Sequence, residues 1–184
     1  MKRVFIGVGH GGKDPGAVAN GLREADVNLV MGLAIAEVLK NHGVEVRLSR
    51  TGDENDPTSQ EVAECNAFAP DLAVECHNNA GGGKGFEVFR QTNGYCVQSE
   101  KLAKAIEARV KAIGQNSRGV KTNVKNGVDY FGWCRQVKCP AVLCEGAFLD
   151  NGQDFQMIAT EAKQKVFGAA YAKGVLDYLG IAWR

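Results

Sequence analysis

Four short apolar runs, Val4–Val8, Val44–Arg50, Asp71–His77 and Pro140–Cys144, alternate with stretches whose apolar residues recur at helical spacing, and this restricts the fold more than any other feature. Strands joined through helices are the pattern of βαβ units, whose crossovers make neighbouring strands parallel. The first helical stretch, Glu24–Lys40, puts Val27, Val30, Met31, Ala34, Ile35, Val38 and Leu39 on one stripe and stops at Asn41-His42-Gly43. Further helices are expected at Thr58–Phe68, Ser99–Ile113, Gln153–Ile158 and Glu161–Leu179, with a short run at Phe86–Arg90 after the glycine turn Gly81–Gly85. The expected fold class is α/β: a single three-layer domain over residues 1–184, with a mostly parallel twisted sheet flanked by helices.

In such sheets ligands gather outside the carboxyl ends of the strands. His10 follows the first run at the head of a glycine-rich loop, and Glu24 opens the next helix beside it. His77 ends the third run and Glu145 follows the last. Two imidazoles and one carboxylate form the ligand set of a catalytic zinc site, which leaves a position for water, and a further carboxylate is then free to act as base. No HExxH occurs, so the fold must bring these groups together. His42 needs no such role, because a helix C-terminus accounts for it.

Two rival chemistries are weaker. Gly7, Gly9 and Gly12 satisfy the dinucleotide-binding G-x-G-x-x-G, but Asp14-Pro15-Gly16 keeps the chain irregular until Glu24, and no acidic residue ends the second strand. A thiol hydrolase built on Cys76 or Cys144 ranks last, since both lie inside strands where a nucleophile is poorly exposed. The six cysteines contain no CxxC spacing and are read as free thiols, with Cys134 and Cys139 left as the pair best placed to form a disulfide.

A formal charge of +1 gives no general reason to bind nucleic acid or an anionic membrane. No apolar run approaches the roughly 18 to 20 residues that cross a bilayer, so no membrane insertion is expected. Met1-Lys2-Arg3 leads into too short an apolar stretch for a signal peptide, and synthesis in a cytoplasm is the expectation. Gly114–Asn126 carries Arg118, Lys121 and Lys125 and reads as a solvated surface loop with a local basic bias.

The order Gly9-His10-Gly11-Gly12 with Asp14-Pro15-Gly16-Ala17, then Gly21, Glu24 and Asn28-Leu29, then Cys76-His77-Asn78-Asn79-Ala80, then Ala141–Gly146 with Phe148-Leu149 and Asn151, resembles the zinc-dependent N-acetylmuramoyl-L-alanine amidases. Arg50 and the Gly85–Val88 turn extend the resemblance over nearly the whole chain. It implies that His10, Glu24 and His77 hold Zn2+, that Glu145 is the catalytic carboxylate, and that Asn79 shapes the substrate groove. The implied substrate is the muramyl-peptide amide of peptidoglycan, with the basic Arg118–Lys125 loop as a candidate groove wall. Enzymes of this kind often carry a separate wall-binding domain; here a single catalytic domain without one is expected, and the lack of a signal peptide favours a phage lysin, released when the host membrane is breached, over a secreted autolysin. A peptidoglycan-binding module that does not cut is the remaining alternative. The chain departs from the family pattern in three places: Asp-Pro is absent before Gly9-His10, Glu75-Cys76 replaces Ser-Ile before His77, and the helix before the third strand lacks the customary arginine.

Overall fold

Along the first strand Val4, Ile6 and Val8 point to one side and Phe5 and Gly7 to the other, and nearly all of them are buried, as a central strand covered on both faces requires. The computed structural model describes residues 1–183. Its first half comprises β1 (Arg3–Val8), β2 (Val18–Ala19), β3 (Leu22–Arg23), α1 (Glu24–Asn41), β4 (Glu45–Leu48), α2 (Thr58–Phe68), β5 (Leu72–Asn79) and β6 (Phe86–Arg90). The second half comprises α3 (Cys96–Ala112), β7 (Ser117–Lys121), β8 (Val124–Lys125), β9 (Val128–Asp129), α4 (Gly132–Gln136), β10 (Ala141–Phe148), α5 (Gly152–Ile158) and α6 (Glu161–Leu179).

Six strands form the main sheet in the order β4-β1-β5-β10-β6-β7. β4, β1, β5 and β10 run parallel, whereas β6 is antiparallel to β10 and carries β7 parallel to itself. The mostly parallel three-layer α/β architecture is therefore the observed one. The larger core lies under α1, α3 and α6, where Met31, Ile35, Leu102, Ile106, Phe167 and Tyr171 close over the sheet. The smaller core lies under α2 and α4 and is built on Phe5, Val62, Ala73, Trp133 and Leu143. Each fully buried Val, Leu, Ile, Phe or Met side chain among them contributes about 1.5–3 kcal/mol through removal from water. Trp133 also satisfies its indole, since Nε1 donates to the Val142 carbonyl at 3.1 Å.

Several local expectations are corrected. Gly114–Asn126 is not wholly loop: it supplies the edge strand β7 and half of the small β8–β9 hairpin. Residues 13–23, expected to be irregular, contain the two-residue hairpin β2–β3. α4 had no visible helical period, being a single turn too short to show one. β5 and β10 continue past their apolar runs, so His77 and Glu145 lie within strands rather than after them. Their polar ends stay in the ladder because main-chain pairing does not depend on side-chain polarity.

Candidate metal centre

Strand period places the polar residues. On β5, Glu75 and His77 follow Ala73 onto the α2/α4 face, and on β10 Glu145 follows Leu143 onto the same face. The parallel register makes Glu145 the Cα partner of His77, and the antiparallel one makes it the partner of Glu87. α2 and α4 cover this face only in part, which leaves a cavity of about 370 Å³ at the carboxyl ends, lined by His10, Glu24, Glu75, His77, Asn79 and Glu145 among others.

His10 adopts φ 65°, a left-handed conformation unusual outside glycine, which turns its ring from the strand direction toward α1. Its Nε2 lies 3.2 Å from Glu24 Oε1, and His77 Nδ1 lies 3.0 Å from the same oxygen. One donor atom from each of His10, Glu24 and His77 falls within 4.8 Å of the others. The imidazoles meet edge to face, with centroids 4.8 Å apart.

Glu24 is the first residue of α1, where the helix dipole favours a carboxylate. It is 4% exposed and accepts from the Asn78 backbone N–H at Oε1 and from that of Ala17 at Oε2, each at 3.0 Å. Burial alone would raise its pKa, but the bonds from His10 and His77 overrule it and hold the carboxyl well below the usual range. His10 is raised chiefly by its bond to Glu24, and His77 is raised by Glu24 and Glu75 against the opposing effect of burial. The anionic carboxylate is already in the state a divalent ion requires, whereas the two imidazoles, held toward their protonated form in the metal-free protein, would release protons as the ion binds.

The support is built around the glycine loop. Arg50, 2% exposed, donates from Nε to the Val8 carbonyl at 2.9 Å, from Nη2 to those of Gly9 at 3.3 Å and Ala25 at 2.7 Å, and from Nη1 to that of Gly52 at 2.8 Å. Asn28 donates to the Gly9 carbonyl at 2.9 Å and accepts from Asn78 at 2.8 Å. The end of β1, the start of α1 and the end of β5 are thereby tied together. Gly9 has to be glycine, because a Cβ there would collide with the His77 ring.

Glu145 lines the cavity with Oε2 buried and unpartnered. Burial, aided by the charges of Glu24, Glu87 and Glu75 and opposed by His77, pushes its carboxyl up to about 7. Asn79 donates to Glu87 Oε1 at 2.9 Å. Glu87 Oε2 accepts from Arg118 at 2.6 Å and from Lys121.

Residues 4–177 match the N-acetylmuramoyl-L-alanine amidase family. The amidase CwlM of Bacillus licheniformis is 34% identical over 184 residues, an alignment covering 95% of this chain and 68% of that protein. An endolysin of Bacillus phage SPP1 is 32% identical, with 98% of this chain and 67% of the relative covered. The solved catalytic domain of the amidase CwlV from Bacillus (Paenibacillus) polymyxa superposes with a TM-score of 0.88 at 28% identity, covering 99% of this chain and 100% of that one. The chain belongs to this amidase family.

In this amidase the four residues singled out at strand and helix ends, His10, Glu24, His77 and Glu145, converge on one cavity with Asn79 at its side. The glycines Gly7, Gly9 and Gly12 open no helix, since the next one starts at Glu24, so the dinucleotide fingerprint lacks its structural half. Cys76 and Cys144 are fully buried and burial pushes both thiols up, which removes them as nucleophiles. All six cysteines are free, Cys134 and Cys139 included. In the basic segment Arg118 and Lys121 pair with Glu87, and Lys125 lies over the Tyr130 ring, 5.6 Å from its centroid. Among the described residues no helix is long and apolar enough to cross a membrane.

Sequence reasoning missed Asp14, Glu75 and Glu87. Asp14 accepts from His10 Nδ1 at 2.9 Å and Glu75 lies 3.3 Å from His77 Nε2, so each histidine meets a carboxylate on the side away from Glu24. A visible signal existed for Glu75, because a residue two before another on a strand shares its face. Glu87 carried none, as its partner on β10, Glu145, lies about a third of the chain away.

Proposed function

We propose that this chain is a zinc-dependent amidase that hydrolyses the bond between the lactyl group of N-acetylmuramic acid and L-alanine in peptidoglycan, and so acts on the cell wall. The observation that carries this is the convergence of His10, Glu24 and His77, with Glu145 across the ladder from His77. The donor set fits the metal: two neutral imidazoles and one carboxylate leave a position open, as catalytic zinc sites do. The orphaned Glu145 oxygen beside them fits a group that awaits a water or substrate.

His10 Nε2, His77 Nδ1 and a Glu24 oxygen would hold the ion. When bound, zinc would polarise the scissile carbonyl and acidify water in the cavity. Glu145 takes a proton from the attacking water as the carbon–oxygen bond forms. It then delivers a proton to the departing alanine nitrogen as the carbon–nitrogen bond breaks, so the products are a free amino terminus and a lactyl carboxylate. Asn79, held by Glu87, forms part of the groove wall. Residues 1–184 act as one catalytic domain.

The test is release of amino termini from purified peptidoglycan by zinc-loaded and chelator-treated protein. Release that needs zinc is expected. Equal release without metal would overturn the metal reading, and wall binding without release would favour a non-catalytic module.

A further inference from the structure

The side of His77 that faces away from Glu24 is the least expected part of the site. Its Nε2 lies 3.3 Å from Glu75 Oε1, while Nδ1 faces Glu24 at 3.0 Å. Glu75 is 2% exposed, and it stands where the family resemblance leads one to expect serine. A carboxylate is not left in such a place by solvent or chance, because burying it is costly unless it meets a donor or a cation.

The surroundings are shaped to it. Gly7 is the Cα partner of Glu75 on β1, and a Cβ at Gly7 would stand 3.1 Å from both Glu75 Cγ and the Trp133 ring. Leu143 is its partner on β10. The carboxylate therefore lies in a slot between a missing side chain, an indole and a leucine, with the His77 ring at its open end. Oε2 is buried and meets no N–H or hydroxyl donor. The neighbouring acid is Glu61 of α2, which accepts from the Ser49 hydroxyl at 3.0 Å and interacts with Glu75. Burial and the nearby Glu75 and Asp56 carboxyls push the Glu61 carboxyl up to about 9. Glu61 also occupies the helix that lacks the family's customary arginine.

We infer that Glu75 is a positioning residue for His77: its carboxylate accepts the Nε2–H, fixes the ring in plane, and leaves Nδ1 as the nitrogen that would ligate the ion once the proton it shares with Glu24 in the metal-free protein is released. This inference rests on the zinc reading above and deepens it. Outer carboxylates of this kind raise the basicity of a ligating imidazole and fix its orientation, and their loss costs about 10- to 100-fold in metal affinity. Asp14 holds the corresponding place on His10 Nδ1, but it is exposed. Glu75 works out of water, where a charge-assisted hydrogen bond is stronger.

The experiment compares the whole wild-type chain with Glu75→Leu and Glu75→Gln. Zinc affinity is measured by competition with a chromophoric chelator, and the imidazole N–H protons are followed by NMR. Glu75→Leu keeps the volume and removes the acceptor. It is expected to bind zinc about 10- to 100-fold more weakly, with the slowly exchanging His77 Nε2–H resonance lost. Glu75→Gln keeps an acceptor oxygen and should recover most of the affinity together with that resonance. Folded Glu75→Leu with wild-type zinc affinity would overturn the role of Glu75 alone, whereas wild-type protein that takes up no zinc would overturn the metal reading and this one with it. Should Glu75→Leu fail to fold, the wild-type spectrum still decides: a zinc-loaded His77 protonated at Nδ1 instead of Nε2 refutes the assignment.

Discussion

His77 and Glu145 are Cα partners across the parallel β5–β10 ladder, on the same face of the sheet. That single register fixes the proposed ligand and the proposed acid/base side by side without any loop between them. Sites carried on strands are held more tightly than sites on loops. Glu145→Gln should therefore leave fold and zinc content unchanged and lower turnover by about 10²- to 10⁴-fold, the usual worth of a positioned general acid/base. Steady-state release of amino termini together with metal analysis reads both quantities, and a variant with wild-type turnover would remove Glu145 from the reaction.

His10→Ala separates ligation from proton transfer. The variant should lose zinc on dialysis against buffer that leaves Glu145→Gln loaded, because two donors bind far less firmly than three. Metal content at unity in dialysed His10→Ala would contradict the ligand assignment.

Gly9→Ala tests the packing beneath His77. A Cβ there meets the imidazole ring, so either the ring or the loop must move. The expected cost is about 1–3 kcal/mol of stability, with weakened zinc binding as the ring shifts. Gly94→Ala, with open space around the added carbon, should be near neutral in the same urea titration.

Arg50→Met removes the cation that ties four carbonyls of the glycine loop, the α1 start and the turn after β4. Those carbonyls lose a charged donor inside the protein, where each such bond is worth about 1.5–3 kcal/mol. Destabilisation of at least about 2 kcal/mol is expected by denaturant unfolding. A change below about 0.5 kcal/mol, the size of an ordinary surface substitution, would show that the clamp carries no stability.

Glu61 gives a pH signature in the metal-free protein. Its folded pKa is raised to about 9, above the ordinary carboxyl value, so between these limits the folded state holds a proton that the unfolded state has released. The contribution of Glu61 to stability is full at low pH and is lost as pH rises toward 9. Glu61→Gln should flatten that decline and gain stability relative to wild type as pH increases. Parallel stability curves from about pH 5 to 9 would refute it.

Much of the architecture was legible locally. The apolar stripe of Glu24–Lys40 and the stop at Asn41-His42-Gly43 predict α1 within a residue, because helical period and capping are short-range properties. β7 was not legible: Ser117–Lys121 is polar enough for a loop and becomes a strand only because β6 offers it an edge. The ion pair of the basic segment was not legible for a related reason, since nothing near Arg118 in sequence announces that Glu87 will be its partner.

The sequence by itself determined the alternation of strands and helices and the presence of His10, Glu24, His77 and Glu145 at their ends, because residue type, period and spacing are written along the chain. Only the tertiary structure decided which carboxylate faces which imidazole nitrogen. Glu24 meets His77 across 53 positions and Glu87 meets Arg118 across 31, and such contacts depend on strand register and sheet order. A shift of one residue in that register would turn His77 to the opposite face, which is why the chemistry belongs to the fold and not to any one motif.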